Sequence, residues 1–308
     1  MSRNQEKQRT DIHARVTDRI VADLQKGVRQ WIQPWSVARA SRPVTRPLRH
    51  NGEPYSGMNV LLLWAEAMSH GFSSPTWMTY RQASELGGQV RKGERGSLVV
   101  YAGQFTRTEV DDRGDEIEKG IPFLKTYSVF NVEQIEDLPD GYYEKPTLVV
   151  DPVERIEHAE RFFANTGAVI RHGGPQAFYS PVSDHIQMPP RAAFRDAASY
   201  VAVLAHEQVH WTAKAGRVGR DLSQYAKNKC ERAMEELIAE VGSALVCADL
   251  GIVPELEPRP DHAAYVASWL TFLGNDTRAI FRAAAHAQRA VNFLHGLQPR
   301  SDMTREAA

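Results

Sequence analysis

The pentapeptide His206-Glu207-Gln208-Val209-His210 stands inside a helical apolar pattern, with Tyr200, Val203 and Leu204 before it and Trp211 after it. No other feature limits the fold as strongly. Residues four apart on a helix lie on one face, one turn above each other. Two imidazoles so placed suit two corners of a tetrahedral metal site, with bonds of about 2.0–2.1 Å. Glu207 lies beside the pair, not between them. It is placed to reach a water activated by the metal without being a ligand, which is the position of a general base. The apolar flanks predict a buried helix, and buried imidazole nitrogens need partners, one of which a cation supplies.

A third ligand must come from elsewhere. Glu235-Glu236-Leu237-Ile238-Ala239-Glu240 belongs to a second apolar helical pattern, with Met234, Val241 and Leu245. Glu236 and Glu240 share a face at i, i+4. Glu236 is assigned as the third ligand and Glu235 is the competitor, because periodicity alone leaves the helix phase open. Glu240 is then expected to accept an N–H from a ligand histidine and so fix its tautomer. Zn2+ is the expected cation, with another divalent metal as the alternative. The segment around Asp184, His185 and Ile186 alternates like a strand and is a candidate edge strand for pairing with an extended peptide, or plain structure. Tyr225 and His286 are candidate oxyanion donors, with a structural role as the alternative.

The rest of the chain suits an α+β protein of two domains. A helix is expected over 10–28, where Ile12, Val16, Ile20 and Leu24 recur every four residues, and another over 58–70, closed by Gly71. Thr79 is expected to cap a short third helix. Strands are expected at 97–101, 105–109 and 125–130, with 111–119 as a charged hairpin loop or a disordered tip. Prolines, a glycine and acids between 136 and 148 mark a boundary: a first domain over 1–140, a linker over 141–150, a second domain over 151–297 and a disordered tail over 298–308. The second domain should be mostly helical, with a small sheet ahead of the helices: a helix at 153–166, strands near 168–171, 177–180 and 185–188, then four helices. The two cysteines, Cys230 and Cys247, form no CxxC and are expected as buried thiols. The amino-terminal residues lack the apolar core of a signal peptide, and no run is long and apolar enough to span a bilayer. A cytoplasmic protein is expected.

The net charge of −1 is unevenly spread: residues 1–60 hold eleven Lys and Arg against five acids. A basic head points to an anionic partner. It also holds aromatics: Trp31, Trp35, Tyr55, Trp77 and Tyr80. Single-stranded DNA is held by stacking on such rings plus phosphate contacts. The candidate phosphate contacts are Arg42, Arg46, Arg49, Arg91, Lys92 and Arg95, with Asn51-Gly52 and Gly57 allowing close backbone approach. The competing reading places the tryptophans in the core.

Taken together, Trp31–Trp35, Asn51–Asn59, Pro75–Ala83, Gly87–Glu94 and Phe130–Gln134 resemble the antirestriction ArdC family of conjugative plasmids and mobile elements. So do Phe178–Pro181, Asp184–Pro189, Leu204–Thr212, Glu235–Glu240 and Tyr265–Leu270, and the likeness runs from about residue 10 to 297. The first half is also similar to a module of TraC-type plasmid primases. The resemblance implies a single-stranded-DNA-binding first domain, a zincin-like metallopeptidase second domain, and protection of transferred DNA from host restriction. A restriction enzyme or another protein would be the peptide substrate. The alternative is a DNA-binding protein whose metal is structural or vestigial and which blocks restriction by binding DNA or the enzyme. Ala213 stands where the family often has glycine.

Overall fold

The computed structural model describes residues 11–26, 45–110, 116–144, 151–252 and 262–299. Trp31, Trp35 and Arg42 lie outside them, as do the expected linker beyond 144 and the expected tail beyond 299. The architecture is α+β, as expected. The chain divides into two compact units: Met1–Val16 with Pro47–Lys145, and Thr17–Arg46 with Pro146–Ala308. The opening helix, α1 (Ile12–Gln25), buries Val16, Ile20 and Leu24, one residue per turn. From Thr17 onward it belongs to the second unit, where the Thr17 hydroxyl donates to the Thr277 carbonyl at 2.7 Å. The expected first domain, 1–140, includes this helix, whose periodicity alone does not say which core its apolar stripe enters.

The first unit runs β1 (Leu48–Arg49), α2 (Met58–His70), β2 (Thr76–Met78), α3 (Tyr80–Glu85), β3 (Gln89–Val90), β4 (Ser97–Val110), β5 (Glu116–Asn131) and β6 (Ile135–Glu136). Helix α2 buries Val60, Leu61, Leu63 and Trp64, and ends where Gly71 turns left-handed at φ 77°. Thr79 caps α3 in a reciprocal box with Gln82. The main sheet has the order β1-β2-β5-β4, and β3 pairs with β6 apart from it. Met78, Ala83, Val90, Val132, Ile135 and Leu138 form a core between them. The expected hairpin loop at 111–119 is shorter than the sequence suggested, since pairing continues to Val110 with Glu116.

The second unit continues with α4 (Pro152–Ala164), β7 (Val169–His172), β8 (Phe178–Ser180), β9 (His185–Met188), α5 (Ala197–Trp211), α6 (Lys229–Asp249), α7 (His262–Asn275) and α8 (Ala279–Gly296). Its sheet has the order β7-β9-β8, with β9 parallel to β7 and antiparallel to β8. The expectation that Asp184, His185 and Ile186 form an edge strand is therefore corrected. Strand β9 is central, its ladder is used on both sides, and Ile186 is fully buried. Asp184 is not in a strand. It turns left-handed at φ 50° between β8 and β9.

Asp196 caps α5 by accepting from the backbone and hydroxyl of Ser199, both at 2.7 Å. Asn228 caps α6, accepting from Cys230 N at 2.9 Å. These helices approach closely because residue 242 is glycine: a Cβ there would lie 2.8 Å from Val209 Cγ2. On α7, the buried Trp269 indole donates to the Ala233 carbonyl of α6 at 3.0 Å. Cys247 is buried as expected, whereas Cys230 is exposed in the first turn of α6. Among the described residues, no helix is long and apolar enough to cross a membrane.

Candidate metal centre

Helix α5 is buried from Leu204 through Trp211. Polar residues in such a helix must find partners. His206 and His210 find each other and α6: their Nε2 atoms are 3.2 Å apart. Glu236 Oε2 is 3.5 Å from His206 Nε2, and Glu236 Oε1 is 3.6 Å from His210 Nε2. All three side chains are buried, and one ligand atom from each lies within 4.8 Å of the others. Two ligands bound tetrahedrally at about 2.1 Å are separated by roughly 3.4 Å. The spacings bracket that value, although the two carboxylate distances belong to different oxygens of Glu236, so the three residues can close on a divalent cation with a small adjustment.

The adjacent carboxylates divide the supporting roles. Glu235, the competitor for third ligand, lies 3.0 Å from His210 Nδ1. It faces the far side of the imidazole and orients it. Glu240 faces His206, its Oε1 3.6 Å from Nδ1. That buried nitrogen has no hydrogen-bond partner among the described residues. Glu207 is buried next to His206, and its charge acts on His210. Burial alone would lower the His210 pKa, but the Glu235 hydrogen bond and the charges of Glu236, Glu235 and Glu207 outweigh it and raise it to about 9. Burial likewise opposes ionisation of Glu236. The two histidines and the Tyr225 hydroxyl prevail, bringing its pKa to about 2. The pocket therefore favours positive charge at its centre.

Sequence reasoning missed Arg220. It is buried in the loop after α5, donating to Glu235 Oε2 at 2.9 Å and Oε1 at 2.7 Å. It also donates to Thr212 Oγ1 at 2.9 Å and the Val209 carbonyl at 2.7 Å. A lone arginine fifteen residues before its carboxylate, in a loop rich in Lys and Arg, gives no periodic signal. Tyr225 does reach the site, where its hydroxyl donates to Glu236 Oε1. His286 does not join the ligand cluster. It lies on α8 with Arg289 2.8 Å from its Nδ1, and burial followed by the Arg289 charge lowers its pKa.

Asp184 is a clasp residue. Arg217 holds it at 2.6 and 2.8 Å, and Lys214 at 2.7 Å. Burial opposes its ionisation, but these cations and the Tyr179 hydroxyl bring its pKa to about 2. His185 is buried, with its Nδ1 2.7 Å from Ser183 Oγ. A cleft of about 520 Å³ opens between the end of β8 and the loop after α5, lined by Tyr179, Pro181, Ala213, Lys214, Arg220 and Leu222.

The sequence-based nucleic-acid residues separate into two groups. Arg49, Asn51, Arg91 and Lys92 are at the surface of the first unit. Arg49 pairs with Glu53 at 3.2 Å and Arg91 with Glu94 at 2.8 Å, while Asn51 Oδ1 accepts from Glu53 N at 3.2 Å. The other three require correction. Trp77 is 1% exposed, packed edge-on against Phe72, and offers no ring face. Tyr55 is buried beneath the Arg49 guanidinium, 5.6 Å from its centroid. Arg46 is buried and bound bidentately to Asp249, both bonds 2.6 Å, so it is not available to a phosphate.

Comparison with known proteins finds a family match in each half of the chain. Residues 10–130 match the N-terminal domain of anti-restriction factor ArdC, and residues 157–286 match the zincin-like metallopeptidase family. The protein y4eC of Sinorhizobium fredii is 43% identical over 294 residues, covering 94% of this chain and 93% of the relative. The DNA primase TraC of Escherichia coli is 36% identical over 304 residues; the match takes in 92% of this chain but only 27% of TraC. Crystal structures of the antirestriction protein ArdC from plasmid R388 superpose with TM-scores of 0.77 for the metal-free form and 0.75 for the Mn(II)-bound form. Their identities are 45% and 44%; each covers 93% of this chain, which in turn spans 97% and 98% of theirs. The chain belongs to the ArdC antirestriction family, with an ArdC-type N-terminal domain followed by a zincin-like metallopeptidase domain.

Proposed function

We propose that this protein binds single-stranded DNA through its first unit, holds one divalent cation in its second, and protects DNA entering a cell from restriction in the cytoplasm. The observation that carries the metal half is the set of donor spacings, 3.2, 3.5 and 3.6 Å, among His206, His210 and Glu236 from two helices. Zn2+ suits two imidazoles and a carboxylate, and Mn(II) is the cation in the related R388 structure. When bound, the cation supplies Lewis-acid activation of water and polarisation of a carbonyl.

The chain's own residues supply the rest. Glu207 takes the proton of the attacking water and passes it to the leaving amine of a peptide bond. Glu235 keeps His210 Nδ1 protonated and its Nε2 free to bind. Tyr225, whose hydroxyl donates to Glu236 Oε1, sits at the rim of the triad and would have to give up that bond to donate to a developing oxyanion. Strand β8 is at the edge of its sheet beside the cleft, a place for an extended peptide to pair.

Metal analysis of the purified protein, with and without His206→Ala, tests the cation: one equivalent is expected in the parent and none in the variant. Glu207→Gln then separates chemistry from binding, since it keeps the three ligands and removes the base. If protection of incoming DNA survives Glu207→Gln unchanged, peptide hydrolysis is not the mechanism. Binding of DNA or of the restriction enzyme would then account for it.

A further inference from the structure

Strands β4 and β5 form a two-stranded ribbon, in register from Ser97 opposite Val129 to Val110 opposite Glu116. Directly opposed residues of an antiparallel pair project to the same face. Tyr101, Gly103, Phe105 and Arg107 therefore share one face with Tyr127, Lys125 and Phe123. The rings on that face form a continuous row. Centroids are 6.4 Å apart for Tyr127–Tyr101, 6.0 Å for Tyr101–Phe123 and 6.2 Å for Phe123–Phe105. Lys125 Nζ lies 4.9 Å from the Phe123 centroid. Gly103, opposite Phe123, leaves room for this seat: a Cβ there would come within 2.5 Å of the ring, which would have to shift.

This row is not core. Tyr101, Phe105 and Tyr127 are 54%, 49% and 47% exposed, and a contiguous exposed aromatic patch marks a binding surface. The ribbon's outer edge is partly closed to strand addition, because the Asn59 side chain bonds both Val100 backbone groups at 2.8 Å. The face is what remains. Its charge pattern selects the partner. Residues 97–107 and 119–131 contain Arg107, Lys119 and Lys125 and no acid, whereas Glu109, Glu116 and Glu118 stand at the far end of the paired strands. The exposed Arg91, Lys92 and Arg95 lie in the turn that leads into β4. An anionic, base-bearing polymer thus fits the root half of the ribbon and is repelled by the tip.

We propose that this face is a stacking platform for the bases of single-stranded DNA, with Arg107, Lys125 and the Arg91–Arg95 turn meeting its phosphates. The inference rests on the reading of the first unit as a single-stranded-DNA binder, and it assigns the stacking role that the buried Tyr55 and Trp77 cannot fill. Aromatics on a cation-flanked surface stack bases with little regard to sequence.

Fluorescence anisotropy of labelled oligothymidylate with the full chain tests it. Combined Tyr101→Ala, Phe105→Ala and Tyr127→Ala should weaken binding by roughly tenfold or more. Tyr101→Phe with Tyr127→Phe should retain it, since stacking needs the ring and not the hydroxyl. Lys125→Ala should lower the salt slope by about one. Circular dichroism confirms folding, and Phe105→Ser alone serves if the triple variant misfolds, with the same direction expected. Parent binding with an unaffected triple variant overturns the platform and leaves the first-unit reading standing. A parent with no affinity for the oligomer overturns both. A triple variant that changes only the oligomeric state in sedimentation overturns the platform in favour of a contact between copies.

Discussion

Glu235 Oε1 sits 3.0 Å from His210 Nδ1, opposite the nitrogen that His210 turns toward His206, and Arg220 grips both oxygens of the same carboxylate. This chain of contacts fixes which imidazole nitrogen is free. Outer partners of this kind typically govern metal affinity by about 10–100-fold. Glu235→Gln keeps the volume and loses the charge, so calorimetric titration with Mn(II) or Zn(II) should show weakening in that range. Arg220→Lys should weaken binding less, because it keeps a positive charge beside Glu235 while losing only the bidentate fork. Full parental affinity in Glu235→Gln would show that the carboxylate does not position His210.

Gly242 faces Val209, the residue between Gln208 and His210 on the metal-bearing helix. A methyl at 242 would lie 2.8 Å from Val209 Cγ2 and 3.0 Å from Cγ1. Valine is stiff about χ1 and cannot swing away cheaply. Gly242→Ala should therefore destabilise the fold by about 1–3 kcal/mol, despite the gain in helix propensity of roughly 1 kcal/mol. Adding Val209→Ala makes room for the methyl. In urea denaturation the double variant should be more stable than the sum of the two single effects predicts.

What was legible in the sequence follows from what periodicity encodes. His206, Glu207 and His210 could be placed on a buried helix because flanking apolar residues set its face. The downstream glutamates could be placed on a second helix, but only the packing of α5 on α6 decides that Glu236 faces the imidazole Nε2 atoms and Glu235 faces Nδ1. The alternation of His185-Ile186 marks a strand and says nothing of its neighbours, so only the sheet order separates an edge strand from a central one. Aromatic content likewise does not distinguish Trp77, which fills the core, from Tyr101 and Tyr127, which lie on a solvent-exposed ribbon. Arg220 was invisible because loop residues carry no period.

Asp184 ties the turn before β9 to the loop after α5 through Arg217 and Lys214. Its folded pKa, about 2, lies below the ordinary 3.8. The clasp therefore contributes fully above pH about 4 and is lost as pH falls through about 2, contributing at most about 2 kcal/mol and less where solvent screens it. Asp184→Asn should lower the denaturation midpoint at pH 7. The gap between parent and variant should close between pH 4 and 2. A gap independent of pH would show that the carboxylate's charge is not what holds the loop.

Arg46 separates stability from DNA binding within the basic amino-terminal region. Its bidentate pair with Asp249 and its bond to Gln288 at 3.1 Å keep it inside the second unit, where Asp249 also meets His295 at 2.8 Å. Removing one partner of a buried pair leaves the other charge uncompensated. His295 and partial exposure soften that loss, so Arg46→Ala should cost about 2–4 kcal/mol in chemical denaturation. Because the guanidinium is fully used inside the fold, single-stranded-DNA affinity and its salt slope should stay at parental values in buffers where the variant remains folded. Combined Arg91→Ala and Lys92→Ala should do the reverse, weakening binding and lowering the slope by up to about two while leaving stability unchanged. If Arg46→Ala flattens the salt dependence instead, the ion pair with Asp249 must open for DNA, and the charge excess of residues 1–60 is a binding surface after all.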